Sequence, residues 1–319
     1  MNKALKVIVW IAAVLFVLVN VAGFVAGYFL YELALNPHSD KSVVMDAEHN
    51  DVDIDEEVVQ EWRESVSWLE GSDYEDAYID SYDDLSLHAY LLENEQPGGT
   101  WVILNHGYIS NGRQLAGVAE TFYGKGYSVL MPDARGCGRS GGAYMGMGWH
   151  DRLALLGWID ELNGRYAPDN IVLYGVSMGG ATVMMASGEQ LPENVRVIIE
   201  DCGYTSAREE FAYQLKSLFG LPSFPVMSYA SAVTRIRAGY WLGEASALEQ
   251  VKKSVTPTLF IHGDEDTFVP YEMVYQLYDA CPAEKELLVV AGAGHGSAET
   301  TARELYWETV MRFLDRYLV

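Results

Sequence analysis

The chain has 319 residues, half of them hydrophobic, and a formal net charge of −24. This is enough apolar material for one large packed domain with an appendage. The acidity excludes nucleic acid as a partner. Cys137, Cys202 and Cys281 are far apart and odd in number, so neither a disulfide framework nor a zinc site is expected, and all three read as small buried hydrophobes.

From Val7 to Leu30 the sequence VIVWIAAVLFVLVNVAGFVAGYFL carries no charge. A helix of that length rises about 36 Å, enough to cross a hydrocarbon core of roughly 30 Å. Lys3 and Lys6 precede it while Glu32 and an acidic block follow, which leaves the N-terminus in the cytoplasm and the rest outside. Residues 1–35 therefore read as a single-pass anchor in the cell membrane with the remainder of the chain extracytoplasmic. A cleaved signal peptide is the competing reading, with Val21-Ala-Gly23 as its cleavage site, but that site falls inside the apolar run. A buried core helix is disfavoured because the segment lacks a polar face.

Between Met45 and Asp84 there are 16 Asp and Glu against the single Arg63. Residues 36–74 are accordingly read as a solvated acidic spacer. Calcium binding is not expected of DVDIDEEVV, which lacks the glycine at its sixth position and a correctly spaced bidentate Glu.

Residues 75–319 form the third unit. Residues 75–94 predict two short strands joined by a turn at Asp83-Asp84. GGTWVILNHGY (98–108) is a buried strand running into a glycine turn, residues 111–124 a helix, and GYSVLMPDARG (126–136) another strand. Residues 148–166 have apolar residues at helical spacing. NIVLYGVS, VRVIIEDCG, TPTLFIHGD and KELLVVAG are further strands, with helices predicted at 269–280 and 297–317. Such alternation gives an α/β fold with a mainly parallel sheet flanked by helices. The interval 204–255 holds no strand pattern, is aromatic-rich and is interrupted by Pro222 and Pro225. It is read as a helical cap insertion.

Within LYGVSMGGAT (173–182), strand, G-x-S-x-G and helix follow in the order a nucleophile elbow requires. Gly175 and Gly179 flank Ser177 where a sharp reversal brings backbones together, and Gly180 eases helix–strand packing. A serine hydroxyl is a weak nucleophile until a base takes its proton and a carboxylate orients that base. Of seven histidines, only His295 follows the last strand in a small-residue loop from which it can reach Ser177. In IHGDEDTFVP, Asp266 is the expected acid, with Asp264 shaping the turn and Glu265 facing water; Asp201 is the alternative. The oxyanion donors expected are the backbone amides of Met178 and Tyr108. His106 braces its loop, and the Tyr108 side chain either lines the acyl pocket or lies on the surface.

NHGYISNG, MPDARGCGRSGG, LYGVSMGG, EDCGYTS, IHGDEDTFVP and GAGHG together resemble the α/β-hydrolase family, and in particular membrane-anchored bacterial hydrolases grouped with serine aminopeptidases, lysophospholipases and esterases. The resemblance spans residues 75–319 and implies Ser177 as nucleophile, Asp266 as acid, His295 as base and a cap governing access. The chain departs from the hormone-sensitive-lipase type in lacking an HGGG loop. Its Ser nucleophile removes the dehalogenase and epoxide-hydrolase branches.

The function expected is hydrolysis of a carboxylic ester through an acyl-enzyme. Aminopeptidase or lysophospholipase activity is the nearer alternative, and a non-catalytic membrane-tethered binding protein the farther one. The substrate is then a small acyl ester, a lipid or a peptide, and the other partner is the membrane, through the N-terminal helix. No cofactor and no metal are called for: H-E-x-x-H is missing, and G-x-G runs such as GRSGG lack the context of a dinucleotide site. The apolar cap sequence suits an acyl or aryl group or simple packing on the core. Glu209 and Glu210, which a peptidase would use to grip an amine, read as a solvated helix face.

Overall fold

A computed structural model describes residues 3–44, 56–94 and 99–318. His49 and the first half of the calcium-like stretch lie outside the described residues. In chain order, the helices are α1 (Lys3–Leu35), α2 (Glu56–Gly71), α3 (Ala116–Gly124), α4 (Asp151–Arg165), α5 (Met178–Ala186), α6 (Ala207–Phe219), α7 (Ser223–Ala238), α8 (Ala247–Val251), α9 (Glu272–Ala280), α10 (Ala298–Thr301) and α11 (Arg303–Tyr317). The strands are β1 (Glu75–Asp80), β2 (Ser86–Leu92), β3 (Thr100–Asn105), β4 (Ser128–Pro132), β5 (Asn170–Val176), β6 (Val195–Asp201), β7 (Thr258–Gly263) and β8 (Lys285–Val290).

They form one eight-stranded sheet in the order β1-β2-β4-β3-β5-β6-β7-β8. β1, β2 and β4 pair antiparallel, and all pairs from β4 to β8 are parallel. The continuous apolar runs of β3 to β7 have the reason expected of parallel strands, because both faces are covered. Along β3, Val102 and Leu104 pack with Phe122, Tyr306 and Phe313 on one side. Trp101 and Ile103 pack with Trp158, Ile159 and Leu162 of α4 on the other. The parallel strands all end at the same rim, so residues following β3, β5, β7 and β8 gather there.

The interval between β6 and β7 carries α6, α7 and α8 and no strand. Its last part differs from the cap expected over 204–255. Ala247 and Val251 of α8 are buried with Met184 and Met185 of α5, so this helix belongs to the body.

Two segments carry packing that the sequence pattern did not show. Within the stretch read as a solvated spacer, α2 lies on α3 with Val66 and Leu69 buried, and the Trp68 ring meets that of Tyr123 at 5.8 Å. Val59, Trp62, Val66 and Leu69 recur at helical spacing, an amphipathic stripe that the charge count concealed. Its acidic face is held by arginines: Glu61 pairs with Arg303 at 2.6 Å and Glu70 with Arg113.

The second segment is α1. Among the described residues it is the one helix long and apolar enough to cross a membrane, and most of its length is exposed. Its end is not. Tyr31 and Leu35 are buried in the same cluster as Met227 and Ala230 of α7. Gly23 and Gly27 allow this contact: a Cβ on Gly23 would lie 2.3 Å from the Tyr229 ring, and one on Gly27 2.7 Å from the Tyr229 backbone. The spacing G-x-x-x-G is the signal that marks such a close helix crossing.

Candidate active site

The turn from β5 into α5 places Ser177 at the sheet rim. Its φ of 57° and ψ of −115° are sparsely populated for a residue with a Cβ. The surrounding glycines make that geometry accessible. A Cβ on Gly175 would lie 2.1 Å from the Gly179 carbonyl oxygen, and one on Gly179 only 1.9 Å from that of Asn105 at the end of β3. Both obstacles are backbone, so neither can move aside. Gly180 faces the Asp201 carbonyl and the Gly203 Cα, 3.1 and 3.2 Å from the position of a Cβ. The Ser177 amide donates to the Asp201 carbonyl at 2.8 Å, fastening the elbow to β6.

The structure brings Ser177, His295 and Asp266 together. The loop after β8 carries the His295 ring so that Nε2 lies 2.9 Å from Ser177 Oγ, while Nδ1 lies 2.7 Å from Asp266 Oδ2. With the ring proton on Nδ1, facing the carboxylate, Nε2 accepts from the hydroxyl. Asp266 is held from several sides. Its Oδ1 accepts from the amides of Phe268 at 2.9 Å and Val269 at 2.8 Å. His262 Nε2 lies 3.1 Å from Oδ2 and also from the Val269 carbonyl. Burial pushes the carboxyl up, but the charges and hydrogen bonds of His295 and His262 outweigh it and hold it down at about 2. It is ionised wherever the protein is folded in ordinary buffers.

His262 is the penultimate residue of β7, and its proximity to Asp266, four positions on along a turn, is what periodicity cannot show. Asp201 has another role. It is buried and accepts from Tyr306 Oη at 2.9 Å, with Tyr174 Oη bonded to Tyr306 Oη at 2.7 Å. Burial raises its carboxyl to about 6, the Tyr306 bond and the nearby histidines opposing that rise. Asp264 shapes the turn by accepting from the Gly292 amide at 2.7 Å. His106 links two rim loops: Nδ1 donates to the Gly107 carbonyl at 2.8 Å and Nε2 accepts from the Ala134 amide at 2.9 Å.

Met178 opens α5 directly after the serine, and the turn of Gly107 and Tyr108 faces it. A Cβ on Gly107 would be 3.5 Å from that of Ser177. Beside these groups an apolar pocket opens, lined by Tyr108, Ser177, Phe211, Leu215 and Phe268 and, unexpectedly, by Leu30 and its neighbours on α1. Tyr108 is a lining residue and also a strut, its hydroxyl donating to the Ala34 carbonyl.

Glu210 corrects the expectation of a solvated helix face. Its side chain is buried in the pocket lining, with Oε1 accepting from Gln214 Nε2 at 2.9 Å and Oε2 without a partner. Burial lifts its carboxyl to about 8, the Gln214 bond only partly opposing this, so the group is neutral at pH 7. Glu209, one position earlier, is exposed. A helical turn of 100° separates the two, and no sequence signal says which of them faces inward.

Eight-stranded sheet, elbow and rim loops define an α/β hydrolase. The chain belongs to the prolyl oligopeptidase family, which matches residues 114–319. It is 29% identical over 215 residues to the uncharacterized protein YqkD of Bacillus subtilis, covering 67% of this chain and 70% of that one. It is also 29% identical over 153 residues to human alpha/beta hydrolase domain-containing protein 17C, covering 48% of this chain and 38% of that protein. Among solved structures it is similar to the Pyrococcus furiosus esterase Pf2001, with a TM-score of 0.65 and 24% identity over 79% of this chain and 94% of that one. At that identity the likeness is one of fold.

Proposed function

We propose that this protein is a membrane-anchored serine hydrolase that cleaves carboxylic esters through an acyl-enzyme. The observation that carries the reading is the unbroken series Ser177 Oγ, His295 Nε2, His295 Nδ1 and Asp266 Oδ2, with contacts of 2.9 and 2.7 Å. In this mechanism Ser177 attacks the acyl carbonyl as His295 takes its proton. Asp266 steadies the imidazolium and stays ionised. The amides of Met178 and Tyr108 receive the oxyanion, each such donor being worth about 10²–10³ in rate. His295 then protonates the departing alcohol, and water releases the acid by the same steps in reverse.

The apolar lining favours an acyl group over a charged one. Glu210 supports a second reading, hydrolysis of an amide bearing a free amine, since a cation placed beside Oε2 would ionise the carboxyl and pair with it. Membership of the prolyl oligopeptidase family is compatible with that reading too. Turnover of p-nitrophenyl esters against aminoacyl p-nitroanilides separates the two. The ester reading expects Ser177-dependent release from the esters and little from the anilides. Wild-type ester turnover no faster than that of Ser177→Ala refutes it and favours a binding protein on a hydrolase scaffold.

Retention of α1 as an anchor is supported by its docking. The carbonyls of Leu33 and Leu35 accept from Lys41 Nζ at 2.6 Å and the Met145 amide at 2.9 Å, tying the end of the helix to the body. Lys3 and Lys6 on one side and the acidic segments on the other favour a body outside the cytoplasm. Protease treatment of intact cells is expected to release the hydrolase portion; protection from the protease contradicts that orientation.

A further inference from the structure

The packing of α1 on α7 places the cap relative to the apolar span. Tyr229 Oη donates to Asn20 Oδ1 at 3.2 Å, and the Phe24 ring meets that of Tyr229 at 5.4 Å. Tyr229 and Ala230 lie against Gly27. Eight residues later on α7, Arg237 sits over the rings of Tyr28 and Tyr31, 3.7 Å from Glu32. The two helices thus run side by side in the same direction, and the N-terminal end of α7 points back toward the middle of the apolar run. Counting about 20 residues from Lys6 for a 30 Å core puts the outer boundary near Gly27, with Tyr28 and Tyr31 at the headgroups. Tyr229 then meets that boundary, and everything before it on α7 lies deeper.

What lies deeper is suited to hydrocarbon. From Ser217 to Thr234 no residue is charged, in a chain of net charge −24, and Lys216, Arg235 and Arg237 bracket the stretch. Phe219, Leu221 and Phe224 are exposed within it, Phe224 to 78%. In water this is an unexplained apolar tip; beside a membrane helix it continues that helix's lipid-facing surface, with cations placed to meet anionic headgroups. Phe219 is also a lining residue of the Ser177 pocket, as is Leu30 of α1. The pocket and the apolar tip therefore share a rim.

We propose that the cap segment 219–224 is immersed in the outer leaflet, and that the pocket fills from the bilayer with an ester whose long hydrocarbon chain resides there. Both halves of this proposal rest on α1 as an anchor, and the substrate half also on the ester-hydrolase reading; the depth of the cap is measured without either activity or substrate.

The test uses the full-length protein reconstituted in vesicles of phosphatidylcholine and phosphatidylglycerol. A nitroxide is attached at Leu221→Cys, the three native cysteines being buried, and at Glu193→Cys, which is exposed at the opposite rim of the sheet. The Leu221 label is expected to be relaxed by oxygen and shielded from an aqueous nickel complex, and the Glu193 label the reverse. Equal access of nickel to both overturns the immersion. In a second arm, the double variant Leu221→Asp and Phe224→Asp is assayed on p-nitrophenyl acetate in water and p-nitrophenyl palmitate in the vesicles. Acetate turnover is expected to stay within about twofold of wild type while palmitate turnover falls about tenfold or more. Parallel change on both esters, or on neither, overturns the bilayer route. Absence of Ser177-dependent turnover on either ester refutes the hydrolase reading and the substrate with it, while the nitroxide depth still decides the position of the cap.

Discussion

Replacing Asp266 by Asn separates two things the carboxylate does. The Asn side-chain oxygen can still accept from the amides of Phe268 and Val269, now bonded at 2.9 and 2.8 Å, so the loop keeps its shape. Its NH₂ then faces His295 Nδ1, where Oδ2 stood at 2.7 Å. A donor in that place drives the ring proton to Nε2, and the imidazole can no longer accept from Ser177. The rate is expected to fall about 10³–10⁴-fold, or roughly 4–5 kcal/mol of barrier. Stability changes less. A carboxyl held at about 2 instead of the usual 3.8 contributes about 2 kcal/mol, present above the unfolded value and lost as pH falls through the folded one. At pH 7 the Asn variant forgoes this contribution, lowering the melting temperature by about 4–8 °C. Asp266→Ala also strands two buried amides, each costing about 1–3 kcal/mol, and is expected to melt well below Asn. Initial rates on p-nitrophenyl esters and a thermal melt measure both quantities. An Asn variant within tenfold of wild-type rate would refute the assignment of Asp266 as the orienting acid.

Gly179→Ala is expected to cost about 3 kcal/mol or more and to abolish turnover, because its Cβ meets the Asn105 carbonyl oxygen at 1.9 Å; a soluble, active variant contradicts the tight elbow. Glu210→Gln keeps the volume and an oxygen to accept from Gln214, and removes a titration. The folded carboxyl titrates at about 8 against the usual 4.5, so the folded state binds the extra proton and wild-type stability declines between those values. Chemical denaturation at pH 5 and pH 9 is expected to show the variant gaining on wild type by several kcal/mol at the higher pH; parallel profiles refute the buried neutral carboxyl. Tyr306→Phe leaves the buried Asp201 Oδ2 without its donor at 2.9 Å and strands Tyr174 Oη. It is expected to destabilise by about 1–3 kcal/mol with little effect on ester turnover, a melt unchanged from wild type being the contrary result.

The alternation of apolar runs and amphipathic segments was enough to read the sheet and its flanking helices, since β3 to β7 are buried on both faces and helices such as α4 on one. The elbow was legible for a related reason: a strained serine needs glycine wherever backbones touch, and Gly175 and Gly179 mark those places in the chain itself. Pairing His295 and Asp266 with Ser177 relied on the order of elements and on loop composition. Three features escaped the reading because they depend on what packs against a surface. The stripe of Val59, Val66 and Leu69 was masked by the acids around it. The burial of Glu210 rather than Glu209 depends on the angle at which α6 meets the body. The contribution of Leu30 and Ala34 to the pocket wall requires a helix read as membrane-spanning to dock on the cap, for which Gly23 and Gly27 were the available sign.

Ser177 as the nucleophile is tested most directly by reaction of the 319-residue chain with a fluorophosphonate probe, followed by mass mapping of the adduct and ester assays of the same sample. One adduct is expected, on the peptide bearing Ser177, with turnover lost in proportion to labelling and no adduct in Ser177→Ala. Full ester turnover by Ser177→Ala, or by protein completely labelled at Ser177, would contradict it.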